Sequence, residues 1–468
     1  MKRIKLKMGL TSAVITAVVI VCVILINSMV ALIGDKLPLT IDLTRDKVYQ
    51  FSDQTKDLMK NLDSDVTAYC ILPEGTEGEY IDYIKTYLEK YKTLSKKFVV
   101  EYVDPYENPA FMQSYNDGEN QANIGSVIIE CGEKFKVITF DQIYTQSSVT
   151  NAVQIDMERK VTNAVMSVTG ALNTANVYFT QGHEEYDAQQ LQGVLKDEGY
   201  TCKNVNIAID GIPEDADIIF SVMPFADYTS EERDLLDGFM DKGGKFVLVA
   251  DPQMQPLEKL DSYLAEWGLK LNYDFIVETD GGSALSYGTG LPIPVAKLQE
   301  HTITKKLTEA QSPLAMPNSM SVSLVKTKNS SSVTKLLMTS EKAYGKTNLN
   351  SATIEKEEGD IAGPLCMAAI SEKAGEKPSA VMVIGSLYAV ESSIAGESSY
   401  LNGDFILNSV NYLSGSQSSA SIRAKQISPE QMTMTQNQVV VSMILLQYVL
   451  PALIIIIGLI IWLRRRFK

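Results

Sequence analysis

Hydrophobic and polar residues alternate with two different periodicities over residues 64–145. Apolar residues recur every three or four positions in EYIDYIKTYLEKYKTLSKKF, where Ile81, Ile84, Leu88 and Tyr91 fall on one helical face. The runs DVTAYCILP, FVVEYVDP and GSVIIECGEKFKVITF predict strands, and the last run predicts a hairpin. The order of one strand, one helix and three strands predicts a small thioredoxin-like α/β domain.

Further along the chain, short apolar runs alternate with helical patterns. ANVYFT, TCKNVNI, DADIIFSVMP and KFVLVADP predict strands, and DYTSEERDLLDGFMDKGG predicts a helix with Thr229 and Glu232 at capping-box spacing. Such an alternation is typical of a parallel sheet that is covered on both faces. SAVMVIGS predicts one more strand of this sheet, and the polar residues 272–373 are interpreted as an insertion.

Two long apolar runs lie near the ends of the chain. Neither Met8–Ile33 nor Val439–Leu463 contains a charged residue, and each exceeds the ~20 residues that a membrane-spanning helix needs. The first run could instead belong to a signal peptide, but it is longer than the apolar region of a signal peptide, which has ~7–15 residues. Basic residues before the first run and after the second predict that both termini are cytoplasmic.

These patterns divide the chain into eight predicted segments. They are a cytoplasmic N-terminus at 1–7, a transmembrane helix at 8–33, an extracytoplasmic α/β domain at 35–150, a linking helix at 151–174, a second α/β domain at 175–415 with its insertion at 272–373, a juxtamembrane segment at 416–438, a transmembrane helix at 439–463, and a cytoplasmic tail at 464–468.

Charge and cysteine content narrow the choice of function. The 468 residues carry a formal net charge of −15, and an acidic surface argues against nucleic acid or anionic lipid as a partner. The chain has no C-x-x-C pair, and we expect buried free thiols, although disulfides remain open outside the membrane. The cysteines concerned are Cys70, Cys131, Cys202 and Cys366.

The segment VYFTQGHEEYDAQQLQ carries the candidate site. Ligands bind beyond the carboxyl ends of strands in parallel α/β sheets, and His183 is one of only two histidines in the chain. The strand ends place a candidate ligand or partner surface at six residues: Gln181, Gly182, His183, Glu184, Glu185 and Pro224. A purely structural interpretation is that Gly182 supplies backbone freedom and the polar residues cap the next helix.

Catalysis and cofactor binding have little support in the sequence. Asp187 stands where an H-E-x-x-H metal motif requires a second histidine. The chain also lacks a G-x-S-x-G elbow, a Walker motif and a dinucleotide-binding glycine motif. We therefore predict no enzymatic activity, no bound metal and no cofactor, and a hydrolase based on His183 and Glu185 is the weakest alternative.

The order of several segments resembles the GldG-type auxiliary proteins of ABC transporters. DLTRDKVYQFSDQTKDLMKNL is similar to the opening of that family, and Gly182, His183 and Glu185 match its Gly-His-Gly-Glu turn. Glu184 stands where that turn usually has glycine. Further similar segments follow in order: DADIIFSVMP, GGKFVLVADP, TSEKAYG, GDIAGPL, VMVIGSLYA, NGDFILNSVNYL, SIRAK and WLRRR.

The resemblance implies a non-catalytic, membrane-anchored subunit of a bacterial ABC transport system. Its partners would be an ABC permease, a separate cytoplasmic ATPase and the lipid bilayer of the cell membrane, reached through two helices. The second domain would have a class I glutamine-amidotransferase-like fold that lacks the nucleophile. The alternative is an extracytoplasmic solute-binding or sensing membrane protein.

Overall fold

The computed structural model describes most of the chain between residues 48 and 456. The described residues are 48–118, 120–146, 153–171, 175–286, 291–310, 312–351, 353–397, 399–415, 422, 424–427, 436–451, 453 and 456. The predicted helix at 8–33 and both predicted cytoplasmic termini lie outside them.

A four-stranded sheet forms the first α/β domain. Its elements are α1 (Asp53–Lys60), β1 (Val66–Ile71), α2 (Glu79–Leu94), β2 (Phe98–Val103), α3 (Pro109–Ser114), β3 (Val127–Cys131) and β4 (Lys134–Ile138). The strand order is β2-β1-β3-β4, with β1 and β2 parallel and the other pairs antiparallel. Helix α2 buries Ile84, Tyr87, Leu88 and Tyr91 because these residues recur at helical spacing on one face.

A buried helix leads from this domain to the next. The connecting elements are α4 (Phe140–Ile143), β5 (Tyr144–Gln146), β6 (Val153–Ile155) and α5 (Met157–Thr169). Most side chains of α5 are buried, including the charged Glu158 and Lys160. This helix is therefore enclosed by protein around most of its circumference.

The second domain begins with four parallel strands and the helices between them. They are β7 (Asn176–Thr180), α6 (Gln189–Asp197), β8 (Thr201–Val205), α7 (Ile207–Asp210), β9 (Ile218–Val222), α8 (Ser230–Asp241), β10 (Lys245–Val249) and α9 (Glu258–Glu266). All five residues of β9 are buried, as expected for a central strand covered on both faces. Val177 lies opposite Ile218, and Lys245 lies opposite the same residue from the other side.

Residues 272–373 belong partly to the main sheet, which corrects the prediction of a purely parallel sheet. After β11 (Leu269–Leu271), the elements from this part of the chain are β12 (Phe275–Val277), β13 (Ala284–Leu285), β14 (Ile293–Pro294), β15 (Lys297–Leu298), α10 (Thr302–Lys305), a 3-10 turn (Lys306–Glu309), β16 (Val322–Leu324), β17 (Ser332–Met338), β18 (Tyr344–Lys346), β19 (Ile361–Ala362) and β20 (Cys366–Lys373). Strands β15, β17 and β20 extend the sheet with antiparallel pairs because their apolar residues complete its core.

The last elements close the main sheet and return to the first domain. They are β21 (Ser379–Ile384), α11 (Ser392–Ala395), α12 (Asn402–Ser414), β22 (Lys425–Gln426), α13 (Gln436–Ile444) and a π-helical turn (Leu445–Val449). The main sheet has the order β15-β17-β20-β21-β10-β9-β7-β8. Strand β22 pairs with β6 in a separate three-stranded sheet.

The predicted two-span membrane anchor is corrected by the structure. Among the described residues, no helix has both the length and the apolar character that crossing a bilayer requires. The described chain is a mixed α/β structure.

Candidate functional site

The turn after β7 positions the candidate residues at the carboxyl edge of the main sheet. Gly182 has a φ of 120°, and a Cβ atom at this position would lie 2.8 Å from Nδ2 of Asn206. Glu184 has a φ of 56°, the left-handed region that favours glycine. Glycine, which the resemblance leads us to expect at this position, would adopt this conformation without strain.

The imidazole of His183 is buried and bound at both ring nitrogens. Its Nδ1 lies 3.0 Å from Oε1 of Glu185, and its Nε2 lies 3.0 Å from Oε1 of Glu232. The ring stacks on Tyr228, with 3.9 Å between the ring centroids and 15° between the planes. The His183 carbonyl accepts hydrogen bonds from the backbone N–H groups of Phe225 and Ala226. Side chain and backbone together join the ends of β7 and β9.

Glu232 reaches His183 from the first turn of α8, where it also caps the helix. Its Oε2 accepts hydrogen bonds from the backbone N–H and the hydroxyl of Thr229, both at 2.9 Å. The Thr229 hydroxyl oxygen accepts from the Glu232 N–H at 3.2 Å, which completes the capping box. The predicted helix start at this position is confirmed. One carboxylate therefore fixes both the helix and the imidazole.

The electrostatics of this cluster favour a charged imidazole between two carboxylates. Burial alone would lower the pKa of His183, but hydrogen bonds to Glu185 and Glu232 outweigh it and raise the pKa. Burial would raise the pKa of Glu185 and of Glu232, but their hydrogen bonds, including those with His183, lower both pKa values. In its charged form the imidazole donates from both nitrogens.

This arrangement leaves no ring nitrogen of His183 directed at a substrate. A histidine that acts as a general base needs one nitrogen facing the nucleophile or the substrate while the other is oriented by a carboxylate. Here both nitrogens face carboxylates. Met223, which follows β9 directly, has a φ of 48° and a buried thioether side chain. The sharp turn at this strand end thus presents no nucleophile.

The six predicted surface residues differ in accessibility. Gln181, Gly182 and Glu184 are exposed, Glu185 is half-buried, and His183 and Pro224 are buried. A cleft of about 370 Å³ adjoins the turn and is lined by Gln181, Gly182, Glu184 and Glu185 but not by His183 or Pro224. Any ligand in this cleft would meet amide and carboxylate groups rather than the imidazole.

In the structure Asp187, rather than Glu184 or Glu185, caps the helix that follows the turn. Helix α6 begins at Gln189, and the backbone N–H of that residue donates to Oδ1 of Asp187 at 3.1 Å. Glu185 instead turns inward to His183. Sequence analysis also missed the contributions of Glu232 and Tyr228 because they come from a distant part of the chain. Among the described residues, no group of three or more His, Cys, Asp or Glu side chains could hold a metal ion.

Two families match parts of the chain. The family described as an ABC-type uncharacterized transport system, an auxiliary component, matches residues 174–409. A domain of unknown function (DUF7088) matches residues 45–149. No curated protein matches the chain.

Several solved structures share weak similarity. The mmIFT52 N-terminal domain is 13% identical with a TM-score of 0.39, over 51% of this chain and 97% of the other. A protein described as ThuA-like, from Parabacteroides merdae ATCC 43184, is 11% identical with a TM-score of 0.33, over 56% and 96%. The exo-beta-1,4-mannosidase Op5Man5 from Opitutaceae bacterium strain TAV5 is 8% identical with a TM-score of 0.25, over 72% and 48%.

Proposed function

Because the chain belongs to the family of auxiliary components of ABC-type uncharacterized transport systems, we propose that it is a GldG-type, non-catalytic subunit. It works with a separate permease and a separate ATPase. The family match carries this proposal, because it covers the main sheet together with the turn at Gln181–Glu185.

The chemistry of the candidate site supports a non-catalytic role. The imidazole of His183 is bound by Glu185 and Glu232, so it holds two strand ends together rather than transferring protons. The sequence has no Walker motif with which to bind nucleotide. The energy for transport would therefore come from a partner subunit.

We propose that the permease contacts the carboxyl edge of the main sheet. The exposed residues of the turn, Gln181, Gly182 and Glu184, adjoin two exposed aromatic side chains. Tyr186 and Phe225 are each 42% exposed, and aromatic residues are enriched at the centres of protein interfaces. An edge of this kind offers both apolar area and polar groups to a partner.

Affinity capture of the full-length chain from its own cells, after mild cross-linking, tests the proposal. We expect mass spectrometry to recover a multi-span permease and a Walker-motif ATPase. Recovery of neither subunit in repeated captures would refute the transport role. Recovery of the protein alone would favour the alternative of a solute-binding or sensing protein, whose ligand would be sought in the cleft of about 370 Å³.

Matched surface variants test the proposed contact face. Phe225→Ser should reduce recovery of the permease, because it removes an exposed aromatic ring from the carboxyl edge. Leu235→Ser is the control: Leu235 is also 42% exposed, but it lies near the amino ends of the strands, beside Lys245. An equal effect of both variants would place the contact elsewhere and leave the transport role intact.

A further inference from the structure

A second cleft lies between the first domain and the main sheet. It has a volume of about 610 Å³ and is lined by β4, by α5 and by the corner that joins α6 to β8. Small-molecule sites commonly have volumes of ~300–1,000 Å³. The cleft is therefore large enough for a compact ligand, and it is bounded by elements of both domains.

The lining of this cleft is basic although the chain as a whole is acidic. Four lysines contribute to it: Lys134, Lys136, Lys160 and Lys196. None of the described residues that line the cleft is Asp or Glu, whereas the whole chain has a net charge of −15. Hydroxyl groups that could donate hydrogen bonds come from Ser167 and Thr201.

The acidic groups near the cleft face Lys136 and Arg159. Asp117 lies 3.9 Å from the ammonium group of Lys136, and Glu198 is bound by Arg159 and Asn163. The carboxyl-terminal ends of α5 and α6 also line the cleft, and each helix end contributes roughly half a negative charge.

Two of the lysines are free to meet a ligand. Lys134 and Lys196 are exposed, and within the described part of the chain neither ammonium group lies within 4.0 Å of a carboxylate. Lys134 belongs to β4 of the first domain, and Lys196 belongs to the last turn of α6 in the second. A single ligand in the cleft could therefore contact both domains.

We propose that this cleft binds a small, multiply charged anion carrying phosphate or carboxylate groups. The ligand bridges Lys134 on one side and Lys196 on the other, and so links the two domains. Lysine binds phosphate and carboxylate groups as a point charge without the fixed geometry of arginine. The site is separate from the turn at Gln181–Glu185 and does not depend on the transport role proposed above.

Calorimetric titration of the full-length chain tests this site with two probes, tripolyphosphate and citrate. The test variant is Lys134→Glu/Lys196→Glu, and the control is Lys270→Glu/Lys356→Glu. Lys270 and Lys356 are exposed and lie outside the cleft, so both double variants change the net charge equally. We expect the test variant to weaken binding roughly tenfold or more, because charge reversal turns attraction into repulsion, and the control to bind like wild type.

The outcomes of the titration separate the possibilities. Selective binding of tripolyphosphate identifies a phosphate ligand, and selective binding of citrate identifies a carboxylate ligand. Equal weakening in both double variants would mean unspecific attraction and would overturn the proposal. The absence of saturable binding for both probes would overturn it as well. Thermal unfolding of the unliganded variants checks that their folds are intact.

A cysteine in the cleft gives an independent readout. Cys202 lines the cleft, and burial raises the pKa of its thiol to about 12. Its alkylation should therefore be slow and should depend on the access of the reagent to the cleft. The similarly accessible Cys131 lies outside the cleft. We expect the bound probe to slow alkylation of Cys202 relative to Cys131, as measured by mass spectrometry. An unchanged ratio at saturating probe would place the anion elsewhere.

Discussion

His183 is bound at both ring nitrogens, so its charge contributes directly to the stability of the fold. The side chains of its partners, Glu185 and Glu232, are also buried, with 6% and 3% of their surface exposed. A buried carboxylate that loses its only cationic neighbour is strongly destabilising. The protonation state of one residue therefore affects how firmly the ends of β7 and β9 are joined.

The pKa shifts in this cluster define a pH window of maximal stabilisation. The pKa of His183 is raised above its ordinary 6.5, so its contribution is complete below pH 6.5 and is lost as the pH rises through the raised pKa. The pKa values of Glu185 and Glu232 are lowered below the ordinary 4.5, so their contribution is complete above pH 4.5 and is lost as the pH falls through those lowered values. The cluster should stabilise the fold most between these limits.

A comparison of wild type with His183→Gln tests this dependence. We expect the difference in free energy of unfolding between the two proteins to be largest between about pH 4.5 and 6.5 and to shrink at higher and at lower pH. Denaturant unfolding over a series of pH values measures the difference. NMR titration can follow His183 directly, since the chain has only two histidines. A difference that does not change with pH would contradict a charged imidazole in this cluster.

At the scale of elements, glycine is favourable in the turn after β7 but unfavourable in the helix that follows. Gly182 lies in the turn with a φ of 120°, beside the side chain of Asn206. Asn206 cannot easily move away, because its Oδ1 accepts a hydrogen bond from the backbone N–H of Ile209 at the start of α7. Gly193 lies inside α6, and a Cβ atom there would meet open space.

The same substitution should therefore have opposite effects at these two positions. Gly182→Ala should destabilise the protein by about 1–3 kcal/mol, because alanine is strained at this φ. Gly193→Ala should stabilise it by roughly 0.5–1 kcal/mol, because alanine loses less backbone entropy in a helix. Chemical denaturation of both variants measures the two changes. Similar values for the two would show that the conformation at Gly182 imposes no constraint.

Local signals allowed several elements to be predicted from the sequence. Thr229 and Glu232 are three residues apart, so the capping box of α8 could be predicted, and the apolar run SAVMVIGS was correctly assigned to the main sheet as β21. The contact of Glu232 with His183 could not be predicted, because it depends on β7 and β9 being neighbours in the sheet. The local pattern of apolar and polar residues does not determine which strands are neighbours in the sheet.

The antiparallel strands within residues 272–373 could not be predicted for a related reason. Strand β17 follows a stretch of polar residues. Its buried and exposed positions alternate only weakly, and its first four residues are partly or fully exposed. Its place in the sheet comes from antiparallel pairing with β20, whose first six residues are buried. The periodicity of β17 alone is too weak to reveal this pairing.

At the scale of the whole molecule, one buried carboxylate connects distant parts of the chain. The side chain of Glu158 on α5 accepts hydrogen bonds from the backbone N–H of Ser52 at 2.6 Å and from the hydroxyl of Thr55 at 2.9 Å. It also accepts one from the ammonium group of Lys425 at 2.7 Å. The segment that precedes α1 and the segment that follows the main sheet therefore meet at a single side chain.

Backbone pairing reinforces this junction. Lys425 belongs to β22, which pairs with β6, and the N–H of Ile427 donates to the carbonyl of Val153 at 3.0 Å. The ammonium group of Lys425 also lies 5.8 Å from the centroid of the Tyr87 ring. Both this strand pair and the ion pair therefore hold the returning chain.

Removal of the positive charge at Lys425 tests how much this junction stabilises the molecule. Lys425→Met keeps the aliphatic stem but leaves the carboxylate of Glu158 buried without its cation. We expect a loss of about 3 kcal/mol, the lower end of the range for a broken buried pair, because Ser52 and Thr55 still donate to Glu158. Denaturant unfolding measures the loss, and hydrogen exchange at the Ile427 amide should become faster.

An exposed ion pair provides the matched control. Lys328 lies 3.8 Å from Glu266 and is largely exposed, so Lys328→Met should cost less than about 1 kcal/mol. If Lys425→Met cost no more than this control, the junction at Glu158 would be held by its backbone pairing alone. If Lys425→Met also accelerated exchange within α1, whose N-cap Ser52 donates to the same carboxylate, the two chain segments would be shown to depend on one another through Glu158.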